Sequence, residues 1–496
     1  MKTKFVVAAI LILFNSLCPA QNADLPSDFL SKEFHSERRQ KLRDKLPANS
    51  VAVLFANAVR NRANDVDYFF HQDPDFLYLT GYKEPNSVLL IFKDLQTANN
   101  GAQYNEIIFT QARNARAEMW TGRRLGKEGV KSSLGFEQAF DATEFSRYNV
   151  NFSKFDQVLF FDFKNDVRDV LKDSTDLYDL IEKFKAKVNY PVKNGVTLAV
   201  EPNKNNLNTT GLGPLLADLR GVKTKEELEL LRKAASISAI GHAEAMKAIR
   251  PGLSEREIQG LQEYVFKKYQ AEDQGYPSIV GAGHNGCILH YMENYKPSIT
   301  NKELILMDLA AEYHGYSADV TRTVPVNGKF SLEQKQIYEL VLQAQEAVFK
   351  ICKPGTPFKE IENTARVTIN KGLKELGFPI TSETERNLFY PHGCSHHIGL
   401  DVHDRGKYDS LRQNMVITVE PGIYIPENSN CDKKWWGISV RIEDDVLITE
   451  KGNELLSFAA PRTVKDIEEL MKQPSAFDNF VLPELDKVKP KTKGEK

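Results

Sequence analysis

The chain is organised around residues 304–326, LILMDLAAEYHGYSADVTRTVPV. Apolar and β-branched residues flank the polar pair His314-Gly315, a pattern that predicts two strands folded back on each other as a hairpin. With the turn at that pair, Asp308 on the first strand lies roughly opposite Asp319 on the second, and both acids share one face. Like charges opposite each other destabilise a sheet, and buried carboxylates are usually paired or metal-bound. The hairpin therefore predicts a cation between the acids, and a solvated hairpin with two surface acids is the alternative.

Length and charge direct attention to a local site. The 496 residues, 41% hydrophobic and 27% charged, are typical of a globular protein of two to four domains. The 65 basic and 67 acidic residues nearly cancel, so no overall field attracts nucleic acid or an anionic membrane. We expect neither as a partner.

The first 21 residues, MKTKFVVAAILILFNSLCPAQ, have the pattern of an export signal. Two lysines precede an apolar run from Phe5 to Phe14, and small residues lead to Ala20. This pattern predicts a signal peptide over residues 1–20, too short for a bilayer span. An uncleaved anchor and a lipoprotein at Cys18 are the alternatives, the second disfavoured because bulky Leu17 precedes that cysteine. No later stretch reaches the length of a membrane helix, so we expect a periplasmic or extracellular chain with no membrane span in its mature form.

The cysteines after the signal show no recognisable framework. Their spacing is typical of neither a zinc ribbon nor a small disulfide-rich domain. We interpret them as small buried hydrophobic residues, with one disulfide left open because of export. They are Cys287, Cys352, Cys394 and Cys431.

The part of the chain before residue 223 predicts an α/β domain. Residues 21–50 contain a leading amphipathic helix, and residues 51–220 contain apolar runs of strand length between longer polar segments. Such runs indicate a sheet buried on both faces. We therefore assign residues 21–222 to an N-terminal domain.

The part from residue 223 predicts an α+β domain. Thr224 and Glu227 form a capping box that opens a long helix, and similar helix starts occur at Ser254, at Ser331 and at Thr356 before Pro357. The helix from Pro357 should end at Gly377. Strand-like segments near 304–326, 415–425 and 438–449 alternate with the helices. The second domain covers residues 223–475, and residues 476–496 form a polar tail.

Three further candidate ligands accompany the two aspartates. His396 lies in PHGCSHHIGLDVHD, Glu420 ends the apolar strand MVITVEPG, and Glu443 lies in ISVRIEDDVLIT. Each is weak alone, since a glutamate before Pro-Gly is often a turn residue and EDD can be a solvated strand end. Together the five supply four carboxylates and one imidazole, a set that suits two divalent ions, manganese first and cobalt or zinc as substitutes. Two such ions roughly 3.5 to 4 Å apart can hold a bridging hydroxide and polarise a carbonyl.

These segments also resemble a known family. In order and spacing they are similar to the catalytic domain of the Xaa-Pro aminopeptidases (aminopeptidase P), in the pita-bread group that includes prolidase, methionine aminopeptidase and creatinase. The resemblance covers residues 223–470 and extends more weakly to HQDPDFLYLTGYKEPNSVLLIF and EMWTGRRLG in the N-terminal half. It rests on HNGCILHYMEN, on residues 304–330, and on HGCSHHIGLDVHD, ITVEPGIYI and VRIEDD.

The resemblance implies a role for each ligand. Asp308 would bind the first metal, His396 and Glu420 the second, and Asp319 and Glu443 would bridge both. Glu420 would also be the general base that takes a proton from the attacking water. Because all five positions match, we expect an active enzyme.

Other residues are implicated less directly. The resemblance places His290, His392 and His403 along the substrate cleft, where an imidazole can donate to the carbonyl oxygen or the oxyanion, or pass a proton to the leaving nitrogen. A structural histidine is the alternative at each position, and His397 stays unassigned.

Arg441 and Tyr424 are expected beside the metal site. Arg441 shares a strand face with Glu443 and can hold Asp308 in place, with a surface arginine as the alternative. The neighbours Val440 and Ile442 argue against exposure. The resemblance places Tyr424 at the rim of the site.

The implied reaction is hydrolysis of the bond between an N-terminal residue and a proline in second position. Prolidase, which cuts only Xaa-Pro dipeptides, is the first alternative, although GCILHYMEN and DPDFLYLTGY are closer to aminopeptidase P. A non-catalytic peptide-binding protein would have lost ligands, and creatinase does not use two metals. Because relatives are often oligomers, we expect a homodimer or homotetramer. Trp120 then either reaches a neighbour's cleft or packs within its own domain.

Overall fold

The computed structural model describes residues 26–483 apart from 27, 99, 164–174, 194–195 and 198–204. The predicted signal peptide and most of the polar tail lie outside the described residues. No helix within the described part of the chain is long and apolar enough to cross a membrane. The domain boundaries given above stay predictions.

The N-terminal domain is built on a six-stranded mixed sheet. It is preceded by the predicted leading helix, α1, whose first turn is capped by Ser31 Oγ accepting from Phe34 N at 3.2 Å. In chain order its elements are α1 (Lys32–Lys45), β1 (Ser50–Phe55), β2 (Asn61–Ala63), β3 (Val66–Asp67), α2 (Pro74–Thr80), β4 (Val88–Thr97), β5 (Gln103–Thr110), α3 (Ala115–Thr121), α4 (Gly126–Leu134), β6 (Ala139–Asp141), β7 (Gln157–Leu159), α5 (Leu177–Lys187), β8 (Val192–Lys193), β9 (Val196–Thr197), β10 (Leu207–Asn208) and α6 (Leu212–Arg220).

Both faces of this sheet are buried, as predicted. The strand order is β10-β7-β1-β4-β5-β6, with β1 antiparallel to β4 and parallel to β7. Because side chains alternate along a strand, Val51 and Val53 enter a core on one face, whereas Ala52 and Leu54 enter the other. The second core continues into the following domain, so the two domains pack through apolar contacts.

The second domain alternates helices with short antiparallel strands. The capping boxes predicted at Thr224, Ser254 and Ser331 are all confirmed. Its elements are α7 (Lys225–Ala248), α8 (Glu255–Lys268), β11 (Asp273–Gln274), β12 (Ile279–Ala282), β13 (Leu304–Asp308), β14 (Ala311–Tyr313), β15 (Tyr316–Ser317), β16 (Thr321–Pro325), α9 (Leu332–Ile351), α10 (Phe358–Glu375), β17 (Val416–Val419), β18 (Gly422–Ile425), β19 (Ile438–Arg441), β20 (Asp444–Ile448), β21 (Asn453–Leu455) and α11 (Val464–Leu470).

The predicted start of α10 is wrong by one residue. Pro357 is extended (φ −61°, ψ 135°) and occupies the cap position itself, and no side chain caps the helix. The Thr356 hydroxyl donates instead to the Ile351 carbonyl, at 2.6 Å, and so closes the preceding turn. The predicted end is confirmed, since Gly377 follows the helix with φ +88°.

The hairpin of residues 304–326 turns where the sequence predicts. His314 (φ +53°) and Gly315 (φ +87°) are both left-handed, as a two-residue type I′ turn requires. The register pairs Tyr313 with Tyr316 and Asp308 with Thr321. Asp319, two residues before Thr321, is therefore diagonal to Asp308 and on the same face of the hairpin.

The turn of the hairpin is held by the first described residues of the chain. The Asp28 carboxylate lies 2.7 Å from His314 Nε2 and accepts from the Tyr313 hydroxyl, also at 2.7 Å. The Phe29 ring packs against the His314 ring, with centroids 3.9 Å apart. Glu272 approaches the other ring nitrogen of His314 at 2.7 Å. The N-terminal segment is thus attached to the second domain.

The four described cysteines are unpaired. Cys352 and Cys394 are buried, as predicted, whereas Cys287 and Cys431 are only partly buried. Within the described residues there is no disulfide.

Candidate metal centre

The five predicted ligands all come from strand ends or from a loop held against a strand. Asp308 ends β13, Asp319 precedes β16, Glu420 follows β17, and Glu443 lies between β19 and β20. His396 is in a loop tied to β17 through its carbonyl, which accepts from Thr418 N at 2.9 Å. Irregular backbone beside a rigid sheet lets each side chain turn towards the same point.

The structure brings the five side chains together around one cavity of about 600 Å³. His396 Nε2 lies 3.4 Å from an oxygen of Asp319 and 3.4 Å from an oxygen of Glu420. Ligand atoms of Asp319, His396 and Glu443 all lie within 4.8 Å of one another. Asp308 and Glu420 line the same cavity.

The charges of this cluster are unbalanced. Three of the four carboxylates are buried and the fourth, Glu420, is partly buried, and of the described residues that line the cavity Arg441 is the one permanent cation. Burial, reinforced by the charge of Asp319, raises the pKa of Glu443 well above its usual range. Burial likewise raises the pKa of Glu420, to about 7, even though the charge of His396 opposes it.

The other two groups show the same effect of crowded acids. Burial raises the pKa of Asp308, although the charge of Arg441 opposes it. Burial lowers the pKa of His396, but the hydrogen bond to Asp319 and the charge of Glu420 outweigh it and bring that pKa to about 9. Buried like charges require compensation, and one or two divalent cations among these oxygens would supply it. The residues fit the metal site that the sequence predicts.

Arg441 is placed as predicted. Its guanidinium donates to Asp308 Oδ2 at 2.5 Å, to the Tyr424 oxygen at 2.7 Å and to Thr321 Oγ1 at 3.2 Å. Only 5% of its side chain is exposed, so the alternative of a surface arginine is wrong. Tyr424 is also buried, because it packs behind the cavity wall on Arg441, and the prediction that it lies at the rim is wrong.

Three partners of the ligands were not predicted. The Tyr276 hydroxyl donates to Asp308 Oδ1 at 2.6 Å, and the Thr321 hydroxyl donates to Glu443 Oε2 at 2.6 Å. Asp445 Oδ2 accepts from Asp319 N at 3.1 Å. Thr321 could have been found, since it follows Asp319 by two residues on one face. Tyr276 has no local sequence signal.

The alternative of a solvated EDD strand end is wrong. Asp444 and Asp445 are 0% and 1% exposed. Arg322, on the hairpin, reaches across and donates to Asp444 Oδ1 at 2.6 Å. The pair anchors the strand that follows Glu443 to the strand that follows Asp319.

His392 lines the cavity but has no free ring nitrogen. Because Arg441 donates to the Tyr424 oxygen, the phenol hydrogen points at His392 Nε2, 2.8 Å away. His392 Nδ1 then donates to the Gly393 carbonyl at 2.7 Å. Burial lowers the pKa of His392 to about 4, so the ring is neutral at pH 7. Both ring nitrogens of His392 are therefore engaged, and Nδ1 also lies 3.6 Å from Glu420 Oε2, so the expected role of His392 as a proton shuttle stays a prediction.

His290 and His403 do have available nitrogens. Both line the cavity, and neither hydrogen-bonds to another residue in the described part of the chain. The His403 ring packs edge-on against the His396 ring, with centroids 4.3 Å apart. His397, left unassigned by the sequence, is fully buried and donates through Nε2 to the Lys407 carbonyl at 3.0 Å, which makes it structural.

Trp120 lies outside its own chain's cavity. It is on α3 with 81% of its surface exposed, beside Met119 at 82%. The alternative in which it packs within its own domain is therefore wrong.

Comparisons with known proteins agree over both domains. Residues 229–450 match the family model described as Metallopeptidase family M24, and residues 35–159 match the aminopeptidase P N-terminal domain. An Xaa-Pro aminopeptidase from Haemophilus influenzae is 37% identical over 453 residues, which cover 89% of this chain and 98% of that protein. The Xaa-Pro aminopeptidase of Escherichia coli is 34% identical over 457 residues, with the same two coverages.

Solved structures show the same relationship. Aminopeptidase P from E. coli with the inhibitor Pro-Leu has a TM-score of 0.76 and 32% identity, covering 90% of this chain and 99% of that one. PepP, the aminopeptidase of Pseudomonas aeruginosa, has the same TM-score and coverages at 35% identity. A zinc-substituted form of the E. coli enzyme, in complex with product, also has a TM-score of 0.76, at 32% identity and with the same coverages.

Proposed function

Since this chain belongs to the Xaa-Pro aminopeptidases of metallopeptidase family M24, we propose that it releases the first residue of peptides whose second residue is proline, using two divalent metal ions. The observation that carries the proposal is the convergence of Asp308, Asp319, His396, Glu420 and Glu443 on one cavity with a surplus of negative charge. Relatives that share 34–37% of their residues with it over 89% of the chain are named for this activity.

We propose manganese as the native metal, with cobalt or zinc as substitutes. Four carboxylates and one imidazole favour a hard or borderline cation. Asp308 would hold one ion, His396 and Glu420 the other, and Asp319 and Glu443 both. When bound, such ions lower the pKa of a water molecule and polarise the scissile carbonyl.

Glu420 is proposed as the general base. Its carboxylate borders the cavity beside His396 and Asp319, where a water molecule attacking a bound peptide would have to lie. In this role a carboxylate oxygen of Glu420 accepts a proton from the attacking water and passes it on towards the leaving nitrogen.

His290 and His403 are proposed to bind the substrate through their available nitrogens. Each can donate to a substrate carbonyl oxygen, and the donor nearer the scissile bond also stabilises the oxyanion. His392, with both nitrogens engaged, presents its ring instead. The apolar side chains of Leu289 and Val402 line the same cavity. A proline ring lacks the N–H that other residues offer, so a site for it depends on shape.

The test uses the chain from Gln21, stripped with chelator and reloaded with manganese. We expect it to release the first residue from an Xaa-Pro-Xaa tripeptide, and Glu420→Ala to abolish that release. The metal content of both proteins, measured by elemental analysis, separates loss of the base from loss of metal. Cleavage of an Xaa-Pro dipeptide alone would indicate prolidase. Absence of cleavage from either substrate by metal-loaded protein would indicate a binding role.

We also propose a homo-oligomer, dimer or tetramer, in which Trp120 meets a neighbouring subunit. The support is the exposure of two large apolar side chains, Met119 and Trp120, at consecutive positions of α3. Light scattering of the wild type and of Trp120→Ala would test it. A monomeric wild type would refute it.

We propose export through the signal peptide of residues 1–20, to the periplasm or outside the cell. The support is the charged, apolar and small-residue order of that segment. N-terminal sequencing of the protein recovered from each fraction would test both the cleavage site and the compartment.

A further inference from the structure

The loop that carries His403 is anchored to the N-terminal domain. His403 lines the cavity, whereas the next two side chains, Asp404 and Arg405, extend away from it towards α2 and α6. The side chains of these three consecutive residues thus point in opposite directions, the first into the cavity and the next two away from it. The position of His403 therefore depends on what holds its two neighbours.

Asp404 and Arg405 are held by a buried ionic network. Arg220, the last residue of α6, donates to Asp75 on α2 at 2.5 Å and, through its other terminal nitrogen, to Asp404. Lys223 donates to the second oxygen of Asp404 at 2.6 Å. Arg405 donates to the second oxygen of Asp75 at 2.7 Å. Each carboxylate thus bonds two cations.

Four members of the network are buried, and Arg405 lies at its surface. Asp75 and Arg220 are each 2% exposed, and Asp404 is 4% exposed. Burial raises the pKa of Asp404, but the charges of Arg220 and Lys223 outweigh it and lower that pKa below its usual range, so the carboxylate stays ionised. Buried ion pairs with good geometry are rigid because either charge alone would be costly.

The loop itself is closed against this network. Asp404 N donates to the His397 carbonyl at 2.9 Å, and Gly399 N donates to the Asp401 carbonyl at 3.1 Å. A Cβ at Gly399 would lie 2.7 Å from Lys223 Nζ and still closer to Asp404. Only glycine lets the backbone at residue 399 approach the ion pair of Lys223 and Asp404 so closely. The ion pair therefore contacts the middle of the loop as well as its end.

We propose that Asp75, Arg220 and Lys223 are positioning residues that hold His403 against the substrate through Asp404. The N-terminal domain then takes part in turnover through Asp75 and Arg220. This inference rests on the proposed function, in which His403 binds substrate.

The test is a double-mutant cycle in the full-length, manganese-loaded enzyme with an Xaa-Pro-Xaa tripeptide. Asp75→Asn keeps the shape of the side chain but removes the charge that orients Arg220. We expect kcat to fall about 10-fold with little change in KM, since a misplacement of about 1 Å can cost up to about 100-fold. Adding Asp75→Asn to the His403→Ala enzyme should not lower kcat any further. If Asp75 had only a structural role, Asp75→Asn would lower kcat by the same factor in the wild type and in His403→Ala.

Asp179→Asn is the matched control. Asp179 is also an aspartate of the N-terminal domain, and it pairs with Lys183 four residues on within α5, so its loss leaves the loop that carries His403 untouched. We expect its kcat to equal that of the wild type. Arg405→Gln is a second variant, and it removes one ion pair to Asp75. Because the Arg405 side chain is 40% exposed, we expect this variant to fold.

The outcomes are distinct. A wild-type kcat in both Asp75→Asn and Arg405→Gln would overturn the inference. It would also be overturned if Asp75→Asn lowered kcat by the same factor in the wild type and in His403→Ala. A His403→Ala enzyme as active as the wild type would overturn it through its premise. A wild type that cleaves no Xaa-Pro peptide would overturn the proposed function and the inference with it.

Discussion

Replacing Glu420 by glutamine should stabilise the metal-free protein at the same time as it abolishes activity. Glutamine has the shape of protonated glutamate but cannot ionise. The pKa of Glu420, about 7 in the folded protein against 4.5 ordinarily, means that burial and nearby acids oppose its negative charge. The two pKa values differ by about 2.5, and each pKa unit corresponds to about 1.36 kcal/mol, so the charge of Glu420 lowers the free energy of unfolding by about 3 kcal/mol.

The sign follows from linkage. A raised carboxyl pKa means that the folded protein binds the proton more tightly than the unfolded chain does. The stability due to that proton is fully present below pH 4.5 and is lost as pH rises through 7. Glu420→Gln escapes this loss. The variant should therefore match the wild type near pH 4.5 and exceed it by up to about 3 kcal/mol at pH 8.

The assay is thermal unfolding in chelator at pH 5 and pH 8. For a domain of about 150–250 residues, 3 kcal/mol corresponds to a rise of about 6–12 °C in Tm. With manganese the order should reverse, because the wild type binds the metal better and binding to the folded state stabilises it. Glu450→Gln, at an exposed position, is the control and should show neither effect. The reasoning is refuted if metal-free Glu420→Gln has the same Tm as the wild type at pH 8, or if its gain in Tm is as large at pH 5 as at pH 8. Either result would show that the acids are not repelling one another.

The remaining predictions concern the same cavity. Because His396, whose pKa is about 9, must lose its proton to bind a metal, manganese affinity should rise between pH 6 and pH 9 with proton release, which calorimetry in two buffers would detect. Arg441→Met should destabilise the metal-free protein by about 3–5 kcal/mol in urea unfolding, and Arg441→Lys by less, since methionine leaves the acids without their cation. His290→Ala and His403→Ala should each lower kcat about 100-fold or more. His392→Ala should mainly raise KM, and a fall in kcat as large as theirs in steady-state assays would show that it transfers protons.

The sequence was informative where function and local pattern coincide. Each of the five ligands stands in a short motif beside a strand, so their convergence was predictable. The capping boxes and the type I′ turn were predictable for the same reason, since the interacting residues are neighbours in the chain.

What the sequence did not show depends on contacts between distant segments. Tyr276 meets Asp308 across 32 residues, and Asp445 meets Asp319 across 126. The engagement of both His392 nitrogens was not predictable, because Arg441 fixes the hydrogen of Tyr424, and no pattern in the chain encodes that direction. Such geometry follows from sheet register and packing.

The attachment of Asp28 to the hairpin turn has a consequence for the order of folding. Its partner His314 lies 286 residues further along, so the segment near the start of the chain has nothing to bind until the turn between β14 and β15 has been synthesised and formed. Closing so long a loop is slow compared with local helix formation. During synthesis this end would therefore stay accessible to proteases and to chaperones until the second domain is nearly complete, and its protection from proteolysis would report that the hairpin has formed.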